Sequence, residues 1–261
     1  LPIIKLSGYL QHFVYTDFNQ YLNKMNLYST IGARNNKDKG KKAGVLKDID
    51  LMIRLTEAVI KSTHLPVTVK TRLGWDEESI NIDEVAERLQ DVGVQALTVH
   101  ARTRAQMYKG HSDWTHIERI KNNPRIHIPI FGNGDIDSPQ KAKEYRERFG
   151  LDGMMIGRAA IGYPWIFNEI KHYEKTGELL APPTMKDRLE AAKNHLIWSM
   201  EWKGERLGIV EMRRHYTNYF KGIHGFKVHR QRLVTEDDPQ QLLRIFEEIE
   251  DFYKDYIVEH L

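Results

Sequence analysis

The chain has 261 residues, no cysteine, a formal net charge of +3 and 41% hydrophobic residues. That is enough apolar material for one large domain or two smaller ones, and the lack of cysteine excludes disulfide scaffolds, thiolate metal sites and cysteine nucleophiles. No apolar run approaches the roughly 18 residues of a membrane-spanning helix and the N-terminus lacks a signal-peptide layout, so the expected compartment is the cytoplasm.

Residues 1–42 give little periodicity. Leu1–Leu27 is rich in aromatics at neither strand nor helix spacing, and Asn35–Lys42 (NNKDKGKK) reads as a basic, solvated loop. From Ala43 the pattern becomes regular. Asp48 or Asp50 caps a helix with Leu51, Leu55, Ala58 and Val59 on one face. Pro66 introduces a strand at Val67–Arg72. Asn81 caps a helix with Ile82, Val85, Ala86 and Leu89 inward, ended by Gly93. A strand at Ala96–His100 follows, then a helix capped by Ser112 and stopped at Asn123-Pro124. Next come a strand at Ile128–Phe131, a helix with Ser138 as N-cap and Pro139 at its first position, a strand at Met154–Ile156, and a helix from Pro164.

Strands thus begin near residues 67, 96, 128 and 153, with one helix in each interval. Such a βαβαβαβα series implies a parallel α/β sheet. The expected class is a (β/α)8 barrel of TIM type, of which the last four βα units are recognisable. Four units make half a barrel, so either a first half is lacking or the sheet is open and smaller. Beyond Pro182-Pro183 everything reads as helix. Thr184 caps one helix, a second runs from about Glu205 to Lys221 with Val210, Tyr216 and Phe220 among its core candidates, and a last one lies near Pro239–Ile257. This is a small all-α domain.

All four strands end in polar residues: Lys70 and Arg72, His100 and Arg102, Asn133 and Asp135, Gly157 and Arg158. In a barrel they would meet on one rim, where the glycine turns Gly132-Asn133-Gly134-Asp135 and Gly157-Arg158 would bring backbone N–H groups to an anion. The plainer alternative is a pair of ordinary βα turns and a frayed strand end at Lys70. No HExxH or other metal-ligand spacing occurs, GNGD is not a dinucleotide fingerprint, and no Ser–His–Asp set is arguable from spacing. Residues 203–232 hold Lys203, Arg206, Arg213, Arg214, Lys221, Lys227, Arg230 and Arg232 against Glu205 and Glu211. The charge suits RNA phosphates, whereas the interleaved Tyr216, Tyr219, Phe220 and Phe226 fit a bundle core better.

Five stretches resemble the bacterial branch of the tRNA-dihydrouridine synthases: LPVTVKTRLGWD (65–76), LTVHARTRAQMYKGHSDW (97–114), IPIFGNGDI (128–136), DGMMIGRAAIGYPWIF (152–167) and MRRHYTNYFKG (212–222). The resemblance implies a TIM barrel holding FMN, a helical domain that binds tRNA, and reduction of a tRNA uridine to 5,6-dihydrouridine with NADPH as reductant. By position it places Lys70 at the isoalloxazine and His100 against the flavin. Asn133, Gly134, Asp135, Gly157 and Arg158 fall at the flavin phosphate. Arg72 and Arg102 are candidates for the substrate nucleotide, and Arg213 and Arg214 for tRNA.

The departure is the cysteine that the family sets in an Asn-x-Gly-Cys-Pro turn as the acid toward uracil. Its place would fall near Ile31, and the chain has no cysteine. The expected organisation is an unmatched leader at 1–42, a partial FMN-binding barrel at 43–179 and a tRNA-binding helical domain at 180–261. A monomer without a catalytic residue of its own is expected, and the alternative is a non-catalytic tRNA-binding remnant. A phosphate-binding barrel enzyme for a small metabolite is the third reading.

Overall fold

The computed structural model describes residues 45–258. The leader at 1–42, and with it the place of the family cysteine, lies outside the described residues. Within them the chain divides into two compact units, one of residues up to 135 with 145–155, the other of 136–144 with residues from 156 onward.

The first unit begins with α1 (Ile49–Lys61), capped by Asp48, whose Oδ1 accepts from Leu51 N at 2.9 Å. Then come β1 (Thr68–Arg72), α2 (Ile82–Asp91), β2 (Ala96–His100), α3 (Thr115–Asn122) and β3 (Ile130–Asn133). The helix α4 (Pro139–Phe149) precedes β4 (Gly153–Met155). The sheet order is β1-β2-β3-β4, every pair parallel. This is the α/β arrangement that the strand spacing implies, an arc of four strands with a helix in each crossover.

Register explains where the chemistry sits. Partnered residues of a parallel sheet share a face, and successive residues alternate between faces. Thr71, Val99 and Gly132 lie on one face with Leu97 and Ile130, and all five are buried. Val85 and Leu89 of α2 and Ile117 and Ile120 of α3 complete this core, each at most 1% exposed. Burying an aliphatic side chain of this kind contributes about 1.5–3 kcal/mol. The other face carries Thr68, Lys70 and Arg72, then Thr98 and His100, Phe131 and Asn133, and Met155. Thr68, Lys70 and Met155 on that face are exposed.

Glycine is required at two sheet positions for space. A Cβ on Gly132 would lie 2.1 Å from the Trp114 ring, and one on Gly153 would lie 2.3 Å from the Phe131 ring. Trp114 stacks on Phe149 at 5.6 Å and meets Tyr145 edge-on at 4.8 Å, so an aromatic cluster sits against β3.

Several local expectations need correction. Asn81 precedes α2 without a side-chain capping bond, its amide donating instead to Leu46 O at 3.3 Å, and β4 starts at Gly153 and ends at Met155. Strand β3 starts at Ile130, not Ile128, because Ile128 N donates to Gln90 Oε1 at 3.2 Å and Pro129 has no N–H for the ladder. Ser112 does not cap α3. Its N–H donates to Asp135 and its hydroxyl accepts from the Trp114 indole, while Asp113 Oδ1 accepts from Thr115 N at 3.0 Å. Val210 is exposed, and its neighbours Ile209 and Met212 are the buried positions.

The second unit contains α5 (Ile166–Thr176), α6 (Met185–Lys203), α7 (Glu205–Tyr219), α8 (Lys227–Thr235) and α9 (Pro239–Phe252). A capping box opens α6: Asp187 N donates to Thr184 Oγ1 at 3.2 Å and Thr184 N to Asp187 Oδ2 at 2.8 Å. Asp238 caps α9, with Pro239 at its first turn. The core includes Leu189, Leu196, Met212, Leu233, Leu242 and Ile249. Tyr216, Tyr219, Phe220 and Phe226 are buried in it, as their spacing implies. Gly208 brings α7 onto α6, where an added Cβ would lie 2.6 Å from Met200 N.

Candidate functional site

Four residues form one registered row across the carboxyl ends of the strands: Arg72 on β1, His100 on β2, Asn133 on β3 and Met155 on β4. Lys70 sits one step back in the row that contains Thr98 and Phe131. The structure therefore brings Lys70, His100 and Asn133 onto one sheet face, on which Lys70 is exposed and His100 is buried. The Asn133 amide donates to Met155 O at 2.7 Å, which fixes its orientation.

This face is electropositive. Partial burial, with the Arg72 charge second, holds the Lys70 ammonium below its usual pKa. Lys70 has no carboxylate partner among the described residues. His100 is 7% exposed, and burial together with Arg72, Lys70 and Arg102 lowers its pKa to about 4, against an opposing pull from Asp135. At neutral pH it is an uncharged imidazole, able to donate and accept a hydrogen bond beside a cation.

Behind the row lies a network that sequence reasoning did not anticipate. Arg102 is 1% exposed. One of its amino groups, Nη2, donates to Asp135 Oδ2 at 2.6 Å and to Gly110 O at 2.7 Å. Asp135 also accepts from Ser112 N at 2.8 Å. Burial alone would raise the Asp135 carboxyl, but the Arg102 hydrogen bond, the Ser112 N–H and the Arg102 charge outweigh it and hold the group at about 2. Arg72 reaches the same loop, donating to Thr103 O at 2.7 Å and Met107 O at 3.2 Å. Both arginines are candidates for the substrate nucleotide by resemblance, yet their guanidinia are engaged with the backbone of the β2–α3 loop. The loop's outer residues Arg104, Met107, Tyr108, Lys109 and His111 are exposed. No signal in the sequence marks the network, since an arginine two residues past a strand reads the same whether it reaches solvent or turns inward.

The turn after β3 has backbone geometry of its own. Gly134 has φ +140° and Asp135 has φ +50°, a left-handed conformation that a non-glycine residue adopts at a cost. A Cβ on Gly134 would lie 2.8 Å from Ser112 Cβ, so this position also needs glycine for space. The Asp135 side chain, tied to Arg102 and Ser112, holds the turn in that conformation.

Gly157 and Arg158 belong to the second unit. A Cβ on Gly157 would meet nothing within 4 Å, and Arg158 opens a short 3-10 turn, Arg158–Ala160. The buried Arg188 of α6 steadies the segment between that turn and α5. Its Nη1 donates to Lys221 O at 3.1 Å, and its guanidinium lies 5.8 Å from the centre of the Tyr163 ring. The Tyr163 hydroxyl donates to Glu169 at 2.6 Å.

The two arginines assigned to tRNA differ in their surroundings. Arg213 is ion-paired with Asp237 and also donates to Glu236 O at 3.4 Å. Arg214 is exposed and has no ion pair among the described residues. No group of three or more metal-ligating side chains occurs among the described residues, and none of their helices is long and apolar enough to cross a membrane.

Comparison with known proteins places this geometry. The sequence model of the family described as Dihydrouridine synthase (Dus) matches residues 33–255. The chain is 37% identical over 211 residues to the probable tRNA-dihydrouridine synthase of Rickettsia conorii, covering 81% of this chain and 62% of that protein. It is 40% identical over 203 residues to the probable tRNA-dihydrouridine synthase 1 of Synechocystis sp., covering 78% and 56%. It is 39% identical over 198 residues to tRNA-dihydrouridine synthase B of Pseudomonas aeruginosa, covering 75% and 59%. The chain therefore spans a little over half the length of these bacterial relatives. A match over most of the chain, together with the parallel βα series, means that this protein belongs to the dihydrouridine synthase family.

Proposed function

We propose that this chain provides the FMN-holding strand ends and the tRNA-binding helices of a flavin-dependent tRNA-dihydrouridine synthase. The reaction of that enzyme is reduction of a tRNA uridine to 5,6-dihydrouridine, with NADPH as reductant. The observation that carries the reading is the shared sheet face on which Lys70, a neutral His100 and an oriented Asn133 stand together. Among the described residues nothing on that face balances the lysine charge, which suits an electron-rich, anionic group.

The residues fit FMN. Lys70 would hold the isoalloxazine by its ammonium, and His100 would hydrogen-bond to the ring without adding charge. Asn133, Gly134 and Asp135 would offer the turn at the phosphate. Gly157 and Arg158 are assigned to the phosphate on the resemblance alone. When bound, the flavin supplies hydride transfer, and the protein supplies binding and orientation. Arg102 and Arg72 act as positioning residues: one fixes Asp135 and Gly110, the other Thr103 and Met107. A base must leave its stack to reach such a face.

No cysteine occurs in the 261 residues, so the proton donor of the family reaction has no counterpart in the chain. That favours a second reading, a tRNA-binding member that holds the cofactor site without turnover. Residues 43–179 are assigned to the flavin and 180–261 to tRNA, in the cytoplasm and as a monomer.

The test is to assay dihydrouridine formation on unmodified tRNA with NADPH, beside FMN and tRNA binding. Binding with product formation supports the enzyme. Binding of both without product supports the non-catalytic reading. Binding of neither contradicts both.

A further inference from the structure

Two tryptophans of α6 face solvent. Trp198 is 64% exposed and Trp202 is 84% exposed. They stand four residues apart, so they share a helix face, about 5–6 Å from Cβ to Cβ. The helix has a well-buried side of its own, with Leu189, Ala192 and Leu196 in the core. The indoles are therefore additional to the packing of the bundle, and paired exposed indoles on a helix mark a contact surface.

Their surroundings identify the contact. His195, one turn before Trp198, lies 4.9 Å from the ring of His215 on α7. Lys203 is 5.4 Å from the centre of the Trp202 ring and is ion-paired with Glu211 of α7. The tryptophans thus border the seam where α7 presents Glu211, Arg214 and His215. The stretch from Met212 to Thr235 contains no carboxylate, while it holds six lysines and arginines. Two of these are engaged, Arg213 with Asp237 and Arg232 with Glu248. Arg214, Lys221, Lys227 and Arg230 have no ion pair among the described residues. Aromatic faces beside uncompensated cations are what a single strand of nucleic acid requires, with bases on the rings and phosphates on the charges.

We propose that Trp198 and Trp202 form a stacking shelf for unpaired bases of RNA, with Arg214 on the adjoining phosphodiester. This rests on the reading that the helical unit binds tRNA and names the part of the tRNA it takes: exposed single-stranded nucleotides.

The full chain should be titrated with unfractionated tRNA, a short single-stranded oligouridine and a blunt RNA duplex, following tryptophan fluorescence and the anisotropy of labelled RNA. The oligouridine and tRNA quench the fluorescence, and Trp198→Ala or Trp202→Ala weakens each by about tenfold while Trp→Phe keeps most of the affinity. Duplex binding does not change. Circular dichroism of the variants matches that of the parent, since both side chains lie outside the core. Equal tRNA and oligouridine binding by parent and double alanine variant overturns the shelf. So does a parent dimer that the double variant turns into a monomer, because a second copy then covers the indoles. Quenching by oligouridine with no binding of tRNA keeps the shelf and removes the tRNA reading.

Discussion

In the sheet unit one side of each strand faces the core, and the other carries Lys70, Arg72, His100 and Asn133. In the helical unit the apolar side chains close around a core and, apart from the buried Arg188, the charges lie outside it. The difference decides how firmly each candidate group is placed. Lys70, His100 and Asn133 are placed on one face by strand register, and the Asn133 amide is held further by its bond to Met155 O. Arg214, Trp198 and Trp202 are surface side chains whose order depends on what binds them. The first arrangement suits a small rigid ligand, and the second suits a long polyanion.

The sharpest way to break this comparison is Asp135→Asn. It removes the charge opposite the buried Arg102 and is expected to cost about 3–5 kcal/mol. Urea unfolding measures the loss. Hydrogen exchange should place it in residues 45–135 and leave α6 to α9 protected, and equal loss in both units would show that they open together. The same carboxylate makes the sheet unit acid-sensitive. Its native pKa of about 2 lies below the unfolded value of about 3.9, so its contribution is complete above pH 4 and is lost as pH falls through 2. In Asp135→Asn that part of the acid loss disappears.

Gly208→Ala is the matching change in the helical unit. Its Cβ would press on the Met200 backbone, at an expected cost of about 1–3 kcal/mol. Exchange should rise in α6 and α7 while the strands keep their protection.

His100 gives a smaller effect. Its folded pKa of about 4 lies below the unfolded value of about 6.5, so the unfolded chain takes the proton first and stability falls from pH 6.5 toward pH 4. His100→Gln should flatten that slope. An NMR titration of the imidazole near pH 6.5 would contradict its placement among the cations.

The smallest expected effect separates Arg213 from Arg214. Arg214→Ala should weaken tRNA binding several-fold without a change in stability. Arg213→Ala should cost about 0.2–1 kcal/mol through its ion pair with Asp237 and change binding less. Equal binding losses would show that the ion pair opens on RNA.

The sequence made the βα series legible because strand and helix periods differ and because Asp48 and Ser138 have few other uses ahead of a helix. It showed that Lys70, His100 and Asn133 end strands, and register then placed them on one face. Three things were not legible. The β3 start depends on a long-range hydrogen bond from Ile128 to Gln90. Arg102 looks the same in sequence whether it reaches solvent or turns inward to Asp135. Trp198 and Trp202 sit among apolar residues of α6, where exposure is decided by the rotation of the helix against α7 and not by residue type.

The proposed function turns on flavin binding at the sheet face of Lys70, His100 and Asn133. It is tested most directly by titrating FMN with the purified chain and following flavin fluorescence and the visible absorption band. Saturable quenching with a shifted band, weakened in Lys70→Ala and in His100→Ala, is the predicted result. An unchanged flavin spectrum at excess protein, in a preparation whose circular dichroism shows the folded chain, would contradict it.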